Sequence, residues 1–173
     1  MQKMNQGGSE NLVEWIRFVL VVVILIRAIY TDWGKGIIEN RCTVPGMVSG
    51  LVWATVNGGL QGLFVSMKMI LIVLIVLYVL FVIKGLGAGD IKLFCVLAAF
   101  YPEKVMGIVV VAFVMAAGMS LVRMVVRYIR KMPVYISGEG IKFSIPIGIA
   151  TILVDCVGDC ETYWHLFTLY NSI

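Results

Sequence analysis

Long, nearly uninterrupted apolar blocks alternate along this chain with short polar stretches, and the alternation predicts its elements. Six blocks read as helices: Leu12 to Thr31, Thr43 to Phe64, Val65 to Ile83, Leu86 to Tyr101, Val105 to Met124, and Phe143 to Val157. One helix needs about 17 to 25 apolar residues to cross a bilayer, and most of the blocks approach that length. None shows the two-residue alternation of a transmembrane strand. Backbone amides in hydrocarbon must bond within their own segment, so helices follow. The second block is interrupted by Gly46, Gly50, Gly58, Gly59 and Gly62. Gly46 with Gly50, and Gly58 with Gly62, are small residues four apart on one helix face, the spacing that lets a neighbouring backbone come close. That block is expected in the interior of the bundle. The first block is too long and starts too late for a cleaved signal, carries no small-residue cleavage site, and is followed by further blocks. It is expected to stay as the first membrane helix. The pattern predicts an all-α, polytopic membrane protein with about six transmembrane helices, forming a single domain over residues 1–173.

Composition removes the alternative of a soluble helical domain. With 61% apolar and 14% charged residues and a mean hydropathy of +0.99, the chain carries more apolar surface than a water-soluble core of its size can hide. Its cations are placed unevenly. Arg27, Lys35 and Arg41 surround the first connection, Lys84 and Lys92 the third, and Arg123, Arg127, Arg130, Lys131 and Lys142 the fifth. The alternate connections hold only Lys68 and Lys104, while Asp155, Asp159 and Glu161 mark the C-terminal stretch. Short loops rich in Lys and Arg stay in the cytoplasm, so both termini are expected outside it. The net charge of +4 is then a record of topology and implies no nucleic-acid partner. The partner it does imply is the lipid bilayer, with Arg123 to Lys131 beside anionic headgroups and Trp33, Tyr163, Trp164 and Tyr170 as interfacial anchors. Cys42, Cys95, Cys156 and Cys160 include no pair with a two-residue gap, and His165 stands alone, so no metal framework is expected. Cys156 and Cys160 either fill space or form a disulfide on the outer side.

Two acids stand out against this background. Asp32 falls at the cytoplasmic end of the first helix and Asp90 near the cytoplasmic start of the fourth. An ionised carboxylate at the centre of a membrane helix costs about 2.5 kcal/mol or more, so such residues face the bundle interior and usually have a function. Two carboxylates confined together cannot both ionise easily and share a proton. That state suits peptide hydrolysis without metal, cofactor or covalent intermediate. One acid takes a proton from water while the other hydrogen-bonds the scissile carbonyl. The residue types alone also allow each Asp to cap its helix or to pair with Lys35 or Lys92.

The surroundings of Asp90 narrow the choice. It ends a glycine-dense turn, Gly85-Leu86-Gly87-Ala88-Gly89-Asp90-Ile91-Lys92, directly before an apolar helix. Glycines let the backbone bend and come close to a substrate strand, and a phosphate cradle of this kind would want a parallel sheet that the chain lacks. The segment resembles the Gly-x-Gly-Asp motif of intramembrane aspartyl peptidases, and Gly89-Asp90-Ile91-Lys92-Leu93 resembles its form in the type IV prepilin peptidases. In that family an Asp ending the first helix is followed by a few polar residues and Ile-Pro-Asn. Here Asp32 is followed, after Trp33 to Ile37, by Ile38-Glu39-Asn40, with Glu39 in place of Pro. Ser144-Ile145-Pro146-Ile147-Gly148 resembles the Pro-containing start of the family's last helix. The resemblance runs from about Arg27 to Thr151.

The resemblance implies catalysis by Asp32 and Asp90, with Gly87 and Gly89 shaping the turn. Lys92 either orients Asp90 or substrate, or extends to the interface. It implies a substrate of the prepilin class, with a short basic leader left in the cytoplasm ahead of one hydrophobic helix, cut after a small residue. Larger members carry a cytoplasmic insertion with Cys-x-x-Cys pairs linked to methylation. This chain has none, and is similar instead to the short peptidases of tight-adherence (Flp-type) pili and to archaeal preflagellin peptidases. Two other readings of the same acids stay open at this level: a small proton-coupled transporter, and a membrane assembly subunit without chemistry.

Overall fold

Helices account for nearly all of residues 6–35, 40–83, 85–130 and 143–157, which the computed structural model describes. Among the described residues there are five: α1 (Gln6–Lys35), α2 (Asn40–Val82), α3 (Ala88–Phe100), α4 (Val105–Ile129) and α5 (Ser144–Val157). The all-α class agrees with the sequence. The helix starts fall within a few residues of those expected for α3, α4 and α5, while α1 extends past both expected ends.

The main departure is α2, which joins the two segments expected to part between Phe64 and Val65. Its interruption lies earlier, at Gly59, where φ is 59° and ψ is −153°. On an unbroken helix Gly50 and Ser66 would stand about 24 Å apart. Both instead meet Ala99. A Cβ on Gly50 would lie 2.6 Å from the Ala99 Cβ, and Ser66 Oγ donates to the Ala99 carbonyl at 3.3 Å. A Cβ on Gly62 would likewise fall 2.5 Å from the Ala54 carbonyl oxygen. The chain therefore doubles back at Gly59. Residues 40–58 run alongside α3 in the same direction, with Gly46 on Val96 and Gly50 on Ala99 and Phe100, and residues 60–82 return in the opposite direction. Gly46 and Gly50 bring two backbones together as the sequence suggested. Gly58 does not, since nothing lies within 4 Å of where its Cβ would be. The segment is not interior as expected: Val44, Val48, Val52 and Val56 face outward, and the interior place is taken by α3.

α3 is the centre of the bundle. Every residue from Leu93 to Phe100 is buried, and both halves of α2 pack against it, with α1, α4 and α5 around the remaining sides. At 13 residues it is only about 20 Å long. Burial among neighbours lets so short a helix sit at membrane depth. The outer helices show single buried stripes, such as Val105, Ile108, Ala112 and Ala116 on α4, and turn the rest of their apolar surface outward. Across the most apolar 18-residue windows of α2 and α4 the mean hydropathy is 2.8 and 2.5, yet only 17% and 22% of those windows is buried. A soluble core would bury them.

The bundle has two distinct ends. At one lie the end of α1 and the starts of α2, α3 and α5. At the other lie the Gly59 reversal and the Tyr101 turn leading into α4.

Candidate active site

Asp32 is placed by the helical period of α1. Val21, Leu25, Ala28 and Asp32 succeed one another at intervals of three and four, and all four are buried, so the carboxylate ends an otherwise apolar stripe facing the bundle. Asp32 is 9% exposed. Burial of such a group demands a partner, and the Ser144 hydroxyl at the first residue of α5 donates to Asp32 Oδ2.

Asp90 is placed by the glycine turn. Gly85 N–H bonds the Leu80 carbonyl at 2.9 Å, closing off the return half of α2, and Gly87 then takes an extended conformation as the residue that precedes α3. Three residues on, Asp90 reaches back so that its carboxylate accepts a hydrogen bond from the Gly87 backbone N–H. This is the reciprocal half of a capping box, with an acid satisfying an orphan donor at the helix start. A Cβ on Gly87 would stand 3.0 Å from Asp90 Oδ2, so the absence of a side chain there gives the carboxylate its room. Gly89 lies in the first turn of α3.

The two acids lie on the same side of the α1–α3 contact, within range for the charge of Asp32 to act on Asp90. Residues 58 positions apart in sequence (90 minus 32) are thus neighbours at one end of the bundle. Lys92 belongs to the same end but faces elsewhere. Among the described residues its hydrogen bond goes to Asn40 Oδ1 at 2.7 Å, tying the starts of α2 and α3 together. Neither of the two alternatives expected for Lys92, orienting Asp90 or reaching the interface, anticipated this tie.

Asp155, read from sequence as a topology marker, has a packing role at the other end. Its carboxylate accepts from Tyr101 Oη at 3.1 Å and pairs with Lys104 Nζ at 3.3 Å, while the Arg17 guanidinium sits 4.6 Å from the Tyr101 ring centre. It takes no part with Asp32 and Asp90. Among the described residues no three His, Cys, Asp or Glu side chains gather as a metal site. Cys160, on which the Cys156–Cys160 question depends, and the aromatic residues Tyr163, Trp164 and Tyr170 fall outside the described residues.

The family model for type IV leader peptidases matches residues 19–121, more than half of the chain. The chain belongs to the type IV leader peptidase family. Membership brings with it aspartic leader-peptidase activity and a polytopic helical membrane fold. No curated protein and no solved structure matches the chain. The family match takes in α1 from Val19 onward, all of α2 and α3, and the acids Asp32 and Asp90. It stops short of α5, so Ser144 was reachable from sequence only through the Ser-Ile-Pro stretch, which marked a helix start and gave no sign of its bond to Asp32.

Proposed function

We propose that this leader peptidase removes the short basic leader from type IV prepilin-like precursors at the cytoplasmic edge of the cell membrane, using Asp32 and Asp90 as its catalytic pair. The observation that carries this reading is the placing of two carboxylates from different helices at one end of a membrane bundle, within electrostatic range of one another. One carboxylate removes a proton from a water molecule, whose oxygen attacks the scissile carbonyl carbon while the protonated partner hydrogen-bonds the carbonyl oxygen. The C–N bond of the tetrahedral species then breaks as the leaving nitrogen receives a proton from the pair. Gly87 keeps the Asp90 carboxylate turned back on the helix start, and Gly89 keeps the first turn of α3 free of side chain on the approach to it.

With the reversal at Gly59 making two passes of α2, the described helices supply six passes in this reading. With the ten cations on alternate connections, both termini lie outside the cytoplasm and the acids on its side, where a prepilin leader waits. Residues 1–173 work as one peptidase domain, similar to the short peptidases of tight-adherence or preflagellin systems. A proton-coupled transporter would want its acids near the bilayer midplane. Asp32 lies in the last turn of α1 and Asp90 in the first turn of α3, which favours hydrolysis at a membrane face.

The test is co-expression with a precursor bearing a basic leader, followed by the mobility shift of leader loss. Cleavage that depends on both acids supports the reading; a precursor left intact by well-folded parent enzyme, or cut equally well without either acid, refutes it.

A further inference from the structure

Ser144 is 1% exposed and its hydroxyl is committed to Asp32 Oδ2. A serine at a helix start ordinarily turns its oxygen onto the first N–H groups of its own helix. Here the hydroxyl proton is sent across to another helix, 112 residues earlier in the chain. The position of Ser144 is itself fixed. Its neighbour Phe143 is buried, and the Phe143 ring stands 5.1 Å from that of Phe113 on α4, which in turn stacks at 6.4 Å on Phe94 of α3. Phe94 lies one helical turn after Asp90. Two routes therefore converge on the acid pair: Asp90 is held from its own helix through Gly87, and Asp32 is held by a serine whose backbone is anchored through three aromatic rings to the helix that carries Asp90.

We infer that Ser144 is a positioning residue for leader cleavage, fixing the Asp32 carboxylate in the rotamer that faces Asp90 and occupying Oδ2 so that Oδ1 is left for the reaction. α5 is thereby part of the catalytic apparatus as well as of the fold. This rests on the reading of Asp32 and Asp90 as the catalytic pair. A carboxylate on the last turn of a helix can otherwise sample several rotamers, and a displacement of about 1 Å between reacting groups costs about 100-fold in rate.

The experiment uses the full chain in detergent or liposomes with a precursor of defined leader, comparing Ser144→Ala, Ser144→Thr, Asp32→Asn and the parent for kcat, KM and melting temperature. Ser144→Ala is expected to lower kcat about 10- to 100-fold with KM within about twofold and an unchanged melting temperature, the pattern of a group felt only in the chemical step. Ser144→Thr, which keeps the hydroxyl, restores kcat to within a few-fold of the parent. Should Ser144→Ala not accumulate, Ser144→Cys replaces it, with a thiol of similar size and much weaker donor strength, and the same loss of kcat is expected. A parent-like kcat in Ser144→Ala or Ser144→Cys overturns the inference, as does an equal loss in Ala and Thr variants, which would make the effect one of packing. Asp32→Asn separates the two levels of the argument. If it is inactive while Ser144→Ala is parent-like, only the role of Ser144 falls; if Asp32→Asn itself cleaves at the parent rate, the catalytic pair falls with it.

Discussion

Gly87 and Asp90 are fitted to one another: the Gly87 N–H bonds the Asp90 carboxylate, and a Cβ on Gly87 would stand 3.0 Å from Oδ2 of that carboxylate. The backbone at Gly87, with φ of −76° and ψ of 146°, is open to any residue, so the glycine is required by the acid beside it and not by the turn.

Gly87→Ala should therefore fold normally and cleave slowly. The alanine methyl pushes the carboxylate by a few tenths of an ångström, and initial rates of leader removal should fall about 3- to 10-fold. Gly34→Ala, on the helix that carries Asp32 and with nothing within 4 Å of the added methyl, should leave the rate unchanged. Equal effects from the two substitutions would remove the steric explanation.

Gly50 makes a different demand. Membrane helices have little hydrophobic drive to associate and rely on close packing. An added Cβ at Gly50 meets the Ala99 Cβ at 2.6 Å and Phe100 Cδ2 at 3.0 Å, and the alanine methyl cannot swing aside. The gain in helix propensity from Gly to Ala is about 1 kcal/mol, whereas overpacking of this kind costs about 1–3 kcal/mol. Gly50→Ala should lower the melting temperature in detergent, and Gly58→Ala, with open space around it, should not.

Gly59 carries the reversal of α2 in a region of backbone space essentially restricted to glycine, φ 59° with ψ −153°. Gly59→Val should destabilise the protein by about 1–3 kcal/mol, read as a lower melting temperature, even though the site is exposed and nothing lies within 4 Å of where a Cβ would be.

How much of this was legible in the sequence follows from the range over which each feature acts. Asp32 and Asp90 could be read because a charge is conspicuous in an apolar chain and because Asp90 follows a local glycine pattern. The Gly59 break was displaced by five residues, from Phe64 to Gly59, because hydropathy is continuous across it and the turn is encoded by backbone freedom at one glycine among several. Ser144 on Asp32, Lys92 on Asn40 and Asp155 on Tyr101 and Lys104 were invisible. Each joins residues more than 50 positions apart, and only the packing of helices decides which polar groups meet.

The charge pattern makes its own prediction. A topology reporter fused after Lys35 or Lys131 should report the cytoplasm, and one at the C-terminus should report the opposite side. The reverse result would put the acid end of the bundle away from any prepilin leader.

Whether Asp32 and Asp90 act as a pair is measured most directly by the initial rate of leader removal by Asp32→Asn, Asp90→Asn and Asp155→Asn enzymes of equal abundance. Asparagine keeps the shape of the carboxyl but can neither accept nor supply the proton, so the first two should lose at least about 100-fold. Asp155, bonded to Tyr101 and Lys104 at the far end of the bundle, should tolerate the change within about twofold in rate. A parent-like rate in either Asp32→Asn or Asp90→Asn would contradict the account.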